Sequence, residues 1–264
     1  MDLEIQSKVA LVTGASRGIG KATAITLAKE GVNVALVARN EDLLLQTKNE
    51  ISEICPKVKA EYFICDTRYN AQVESMVNNV HKEFKSIDIL VNCAAMVAQP
   101  STIDNFDDTE LIEQIEVKVS GYIRCAKFVS PIMKKNKWGR IINISGLNAR
   151  SSASLIGSIR NISVSSLTKH LADNLGPHGI NVNVIHPGYT YTERSKGMIE
   201  KISKEKNISH DEAESQLLKN NSVKSVINAY DIANIVTFLA SPKSKSINGD
   251  PISAGGGVVG PIYY

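Results

Sequence analysis

Lys8–Gly20 reads KVALVTGASRGIG, and the rest of the chain is organised around it. Val9, Ala10, Leu11 and Val12 form an apolar run without alternation, the pattern of a strand buried on both faces of a parallel sheet. Thr13 and Gly14 end that run, and a helical stripe follows through Ile19, Ala22, Ala24, Ile25 and Leu27. A buried strand, a glycine-rich turn and a helix start together make an anion site. Glycine lets the backbone approach closely, and the first N–H groups and the dipole of the helix favour negative charge. Gly14, Gly18 and Gly20 are spaced T-G-x-x-x-G-x-G, which differs from the G-x-G-x-x-G fingerprint. A tight βα turn alone also needs glycine, but the flanking strand and helix favour phosphate binding.

Outward from this turn, strand and helix alternate. Strand-like runs cover 33–37, 61–65, 87–91, 140–144, 181–185 and 251–254, and helical patterns cover 41–54, 71–84, 109–136 and 154–175. Asn228 caps a further helix through Ala240. The alternation predicts an α/β protein: a Rossmann-like, doubly wound parallel sheet of about seven strands with helices on both faces, in a single domain over 1–264. Between Glu193 and Lys224 the composition turns to Lys, Glu and Ser, with Met198, Ile199, Ile202, Leu217 and Leu218 at helical spacing. Ser209 and Glu212 have capping-box spacing. A helical flap at about 193–224 over the site is expected, with a solvated surface excursion as the alternative.

Charge and cysteines exclude several classes. The 30 Lys+Arg and 27 Asp+Glu leave a formal charge of +3, with no basic-aromatic cluster, so no nucleic-acid partner is expected. No run of eighteen apolar residues is present, and MDLEIQSK lacks the apolar core of a secretory leader. Cys55, Cys65, Cys93 and Cys125 have no metal-ligand spacing and read as reduced thiols. A cytoplasmic protein without membrane or metal is expected. N-x-S triplets at Asn143, Asn161, Asn207 and Asn220 read as chance matches.

Over nearly its full length the chain resembles the short-chain dehydrogenase/reductase family. The matching segments are TGASRGIG at 13–20, CDT at 65–67, LVNCAA at 90–95, GRIINIS at 139–145, PHGINVNVIHPGYTYT at 177–192 and DIANIVTFLAS at 231–241. The resemblance implies a nicotinamide dinucleotide at the carboxyl ends of the strands, a small-molecule substrate, and a homo-oligomer, tetramer or dimer. It places Gly14, Gly18, Ile19 and Gly20 at the pyrophosphate. It puts Asp66, with Thr67 beside it, at the adenine amino group. Asn92, with Ala94, falls at the adenosine ribose, and Pro187, Gly188, Thr190 and Thr192 at the nicotinamide carboxamide. Cys93 and Ala95 depart from the family's N-N-A-G. Strand two ends Val37-Ala38-Arg39-Asn40 without the carboxylate that would bind a ribose 2′-OH. Arg39 and Arg17, with the Ser16 hydroxyl, suit a 2′-phosphate instead, so NADP(H) is expected over NAD(H).

The family's catalytic Asn, Ser, Tyr and Lys are another matter. By the resemblance their positions fall on Lys118, Gly146 (next to Ser145), Gly157 and Asn161, and no Y-x-x-x-K occurs in the chain. Lys118 and Asn161 read as an exchange, Lys where Asn was and Asn where Lys was. They are expected to meet and to serve one site with Ser145; the alternative is a snorkelling lysine and a merely polar asparagine. Arg160, Tyr122, Tyr189 and Tyr191 are further donors within range, and His186 is expected to close strand six. Three functions stay open: an NADP(H)-dependent oxidoreductase on a small carbonyl or alcohol with a non-standard proton donor, a catalytically degenerate dinucleotide-binding scaffold, and a non-redox enzyme reusing the pocket.

Overall fold

The computed structural model describes residues 1–97, 101–193, 195–218 and 221–258. Asn220 and the side chains of Leu217 and Leu218 lie outside the described residues. The chain runs β1 (Val9–Thr13), α1 (Gly18–Lys29), β2 (Asn33–Ala38), α2 (Glu41–Ile54), β3 (Ala60–Ile64), α3 (Asn70–Phe84) and β4 (Ile89–Asn92). It continues through α4 (Asp108–Ile115), a π-helical turn (Glu116–Ser120), α5 (Gly121–Asn136), β5 (Gly139–Ile144), α6 (Leu155–Leu175) and β6 (Ile180–Pro187). The last elements are α7 (Ser195–Lys206), α8 (His210–Leu218), α9 (Ala229–Leu239) and β7 (Pro251–Ala254).

All seven strands are parallel, in the order β3-β2-β1-β4-β5-β6-β7. The strand period of two sends alternate residues to opposite faces. Ala10 and Val12 of β1 meet Leu27 of α1, Leu44 of α2 and Val236 of α9 in one core. Leu11 meets Val77 of α3, Val129 of α5 and Leu175 of α6 in the other. The central strands β1, β2 and β4 are therefore sandwiched, which is why their sequences are apolar without alternation, whereas the edge strands β3 and β7 are partly exposed. The order reverses between β1 and β4, and the crevice at their carboxyl ends is where such sheets bind ligands.

One expectation is corrected. The helix read as continuous over 109–136 is broken by the π turn at Glu116–Ser120, which divides α4 from α5. A π turn inserts an extra residue and rotates the face that follows, so the elements on either side need not share one stripe. The segment at 193–224 holds two helices, α7 and α8. Ser209 Oγ accepts from the Glu212 N–H at 3.2 Å while Glu212 Oε2 accepts from the Ser209 N–H at 2.9 Å, which closes the capping box. No described helix is long and apolar enough to cross a membrane.

Candidate active site

The turn after β1 is shaped by close backbone approaches. Gly14 sits at φ +70°, and a Cβ there would lie 3.0 Å from backbone atoms of Cys93 and Ala94. A Cβ on Gly20 would lie 2.2 Å from the Gly14 carbonyl oxygen. Both positions exclude any side chain. The Thr13 hydroxyl accepts from the N–H groups of Cys93 (3.0 Å) and Ala94 (3.2 Å) and donates to the Val91 carbonyl (3.3 Å), tying the end of β1 to the end of β4. Arg17, the residue before α1, gives that helix no side-chain cap. Instead the Gly18 N–H donates across the cleft to Glu193 Oε2 at 3.1 Å.

Around this turn lies a cleft of about 720 Å³ at the switch point of the sheet. Of the residues singled out in the sequence, Gly14, Ser16, Arg17, Gly18, Ile19, Gly20, Arg39, Asp66, Thr67, Ala94, Lys118, Ser145, Arg160 and Thr192 all line it. At the β2 end, Arg39 Nη1 stands 3.9 Å from Asp66 Oδ2, and the Arg39 side chain is 60% exposed. Asp66 is held more closely by Arg68, whose Nη2 lies 2.7 Å from Oδ2. Burial would push the Asp66 carboxyl up, but the hydrogen bonds and charge of Arg68, with the charge of Arg39, hold it below its ordinary value. The carboxylate at the expected adenine position is thus already engaged by two arginines.

At the β4–β5 end the π turn delivers Lys118, which is 3% exposed. Its Nζ donates to the Ser145 carbonyl at 2.8 Å, and the Ser145 hydroxyl donates to the Asn161 carbonyl at 3.0 Å. Lys118 and Ser145 therefore meet, whereas Asn161 joins them only through its main-chain carbonyl and its side-chain amide makes no recorded bond to Lys118. Burial pushes the Lys118 ammonium well below its ordinary value; the nearby Arg160 charge adds to this and Cys93 opposes it. One turn on, the Tyr122 hydroxyl donates to the Ile144 carbonyl at 2.9 Å, the carbonyl next to the one that Lys118 uses. Burial raises the Tyr122 phenol well above its ordinary value, so it holds its proton.

Several expected contacts are not on the cleft wall: Asn92, Asn161, Pro187, Gly188, Thr190, Tyr122, Tyr189 and Tyr191. Asn92 is fully buried and donates to Asn143 Oδ1 at 2.9 Å, and Asn143 donates to Thr168 Oγ1 at 2.9 Å. It braces β4 against β5, where the two asparagines are in register. Gly188 packs on Gly255, whose Cα a Cβ at 188 would approach to 2.8 Å. Asn161 lies behind Ser145, with its Oδ1 buried and without a partner among the described residues. His186 ends β6 as expected, its Nδ1 bonded to the Gly146 carbonyl and its Nε2 to the Ser165 hydroxyl, both at 3.1 Å.

Two residues escaped the sequence reading. Glu193 reaches Gly18 across 175 positions, a contact that no local pattern announces. Gln114 is 1% exposed and accepts from Arg160 Nη1, a contact between elements 46 positions apart that no local pattern announces. Among the described residues, no group of three His, Cys, Asp or Glu could hold a metal ion.

Known proteins fit this geometry. The chain is 31% identical over 255 residues to the NADPH-dependent reductase BacG of Bacillus subtilis, covering 96% of this chain and 98% of that one. It is 33% identical over 254 residues to the short-chain reductase protein NovJ of Streptomyces niveus, covering 96% and 94%. The crystal structure of L-sorbose reductase from Gluconobacter frateurii, complexed with NADPH and L-sorbose, superposes with a TM-score of 0.94 at 27% identity, covering 99% and 100%. The family described as short chain dehydrogenase matches residues 8–203, and with the parallel seven-stranded sheet and the glycine turn at its switch point, the chain belongs to the short-chain dehydrogenase family.

Proposed function

We propose that the chain is an NADP(H)-dependent oxidoreductase acting on a small carbonyl or alcohol, with Lys118 as the proton donor. The observation that carries this reading is Lys118 itself: a buried ammonium on the wall of the same cleft that the glycine turn and Arg39 line. The residues present fit the dinucleotide. A Cβ at Gly14 or Gly20 would fill the cradle, and 720 Å³ is within the range of cofactor clefts. Gly18, Ile19 and Gly20 would offer the start of α1 to the pyrophosphate. Arg39, Arg17 and Ser16 would hold the 2′-phosphate, while Asp66, Thr67, Ala94 and Thr192 would line the rest.

When bound, the nicotinamide supplies or accepts the hydride. The remaining chemistry falls to side chains of this protein. The Ser145 carbonyl takes one Lys118 N–H, which leaves two donors for a substrate oxygen. Desolvation makes this ammonium a stronger acid than a surface lysine, so it would give a proton to the oxygen during reduction and take one during oxidation. The Ser145 hydroxyl, committed to Asn161, holds the carbonyl that aims Lys118. NADPH consumption with a panel of ketones and aldehydes tests the reading. Turnover that Lys118→Met abolishes is expected; firm NADPH binding with no consumption by any carbonyl would refute it.

The same reading includes a homo-oligomer. Ile159 and Ile162 on α6 and Ile123 on α5 are exposed, and apolar helix faces of this kind favour association. Light scattering on the purified chain tests this, and a monomer at micromolar concentration would sink it.

A further inference from the structure

The Lys118 end of the cleft holds a second cation, the half-buried Arg160. Arg160 Nη1 donates to the Met96 carbonyl at 2.9 Å and to Gln114 Oε1. Gln114 is clamped in turn, its Nε2 donating to the Val97 carbonyl at 2.9 Å. The guanidinium is thus fixed from two sides, by α4 and by the segment after β4. Its recorded contacts use Nη1, while Nε is buried without a hydrogen-bond partner among the described residues. A buried charged donor left unmatched is costly, and a second cation nearby, Lys118, adds like-charge repulsion. The charged group on α4 whose field reaches Arg160 is Glu110.

Two fixed cations on one cleft wall are an arrangement that an anion relieves. We propose that the substrate is an oxo acid or its hydroxy-acid counterpart, whose carboxylate is held by Arg160 while Lys118 serves the reacting oxygen. A planar guanidinium can offer its Nε–Nη2 edge for two parallel hydrogen bonds, a match for a carboxylate that a single ammonium lacks, and in Arg160 neither of those nitrogens is taken by the contacts of Nη1. This assignment of substrate class rests on the oxidoreductase reading above. It makes Arg160 a specificity residue and divides the work between neighbours: Arg160 orients, Lys118 moves the proton. The anion also shields the Lys118 ammonium from Arg160, so the charged form of the acid is favoured once substrate is in place.

The test pairs small oxo acids with their methyl esters under NADPH, for the intact protein and the variants Arg160→Gln and Arg160→Lys. The acid is expected to be preferred. Arg160→Gln should raise KM for the acid about tenfold to a hundredfold, the span of one lost charge-assisted contact, while KM for the ester moves far less; because the Arg160 charge also lowers the Lys118 ammonium, kcat for both substrates should shift together. Arg160→Lys, which keeps the charge and fold-supporting bulk, should recover part of the loss. Calorimetric titration of succinate into the protein with NADP+ gives a readout free of turnover, and Arg160→Gln should weaken it likewise. Equal use of acid and ester, with both variants changing their KM alike, would overturn the assignment. Succinate binding that depends on Arg160 while no carbonyl is reduced would keep the anion site and refute the oxidoreductase reading instead.

Discussion

Arg39→Ala should separate the two dinucleotides. In the structure the Arg39 guanidinium is 60% exposed and its nearest anionic partner is Asp66 at 3.9 Å. Asp66 already has Arg68 at 2.7 Å, so removing Arg39 leaves no carboxylate stranded, and an exposed pair of this kind contributes under about 1 kcal/mol to stability. Toward a 2′-phosphate the sum differs. Unit charges about 4 Å apart interact by about 1 kcal/mol in water and about 4 kcal/mol at an effective dielectric near 20, and a phosphate monoester carries a charge of about −1.5 to −2. The exposure of Arg39 places it near the watery limit, so about 1.5–3 kcal/mol is expected, or roughly a 10- to 150-fold rise in the NADPH dissociation constant. NADH, which lacks that phosphate, should change less than about threefold. Fluorescence titration of both dinucleotides measures the ratio, and the gap should narrow with added salt because the pair is screened. An equal loss for both dinucleotides, or a wild-type preference for NADH, would refute the assignment.

Other perturbations have equally definite signs. Lys118→Met should cut carbonyl reduction by roughly 10²- to 10⁴-fold while leaving NADPH affinity nearly unchanged; a variant that keeps its rate would clear Lys118 of the chemistry. Because burial lowers the Lys118 ammonium, the wild-type reduction rate should fall with rising pH well before the ordinary lysine range, and a profile flat to pH 10 would contradict this. Glu193→Ala should act in two directions, removing the carboxylate that meets Gly18. The dinucleotide pyrophosphate should bind several-fold tighter, whereas the unliganded protein should melt a few degrees lower for want of a cap on α1. Weaker dinucleotide binding would show that Glu193 assists rather than competes. His186 is lowered from 6.5 to about 4, by burial first and then by the Arg150 charge. The unfolded chain therefore takes that proton before the folded one, and stability is lost as pH falls from about 6.5 to about 4, by at most about 3 kcal/mol. Melting curves across that range, with His186→Asn as the control that flattens them, check the sign.

Much of the fold was legible because the centre of the sheet is buried on both sides, so β1, β2 and β4 declare themselves as apolar runs. α2 and β7 lie where the pattern placed them, and Asn228 forms the capping box of α9 with Asp231. The π turn was not legible. EVKVS has ordinary helical composition, and the extra residue at Glu116–Ser120 depends on what Lys118 and Tyr122 reach on β5, which is tertiary information. That the glycine turn, Arg17 and Arg39 line one cleft was readable because glycines and arginines act through backbone shape and charge, properties of the residues themselves. The bond from Asn92 to Asn143 was not legible, because an amide serves a ligand or a neighbouring strand equally well and the pairing depends on strand register. Arg160 was visible as a donor, but its fixed geometry comes from Gln114 and Met96, on elements distant in the chain.

The resemblance sets Lys118 and Asn161 at exchanged positions, and coupling between the two is an expectation that can be measured. By the resemblance, the tyrosine and lysine positions fall on Gly157 and Asn161. A Cβ at Gly157 would meet Asn148 Nδ2 and Ser154 Oγ at 2.9 Å, and Ser154 is the cap of α6 through its bond to the Gly157 N–H. A side chain there would cost that cap. Asn161 is 3% exposed, and its main-chain carbonyl holds the Ser145 hydroxyl while Lys118 holds the Ser145 carbonyl, so Asn161→Lys would add a third cation to a buried neighbourhood that already includes Lys118 and Arg160. Lysine at 118 and lysine at 161 should then exclude each other electrostatically, which explains why the two residues read as an exchange rather than as two losses. In a double-mutant cycle on stability, Asn161→Lys alone should be strongly destabilising, and adding Lys118→Asn should recover at least about 1 kcal/mol, well beyond the few tenths expected of independent sites. Additive effects would mean that the two positions changed independently, and Lys118 would lose its claim to be the partner that replaced the missing lysine.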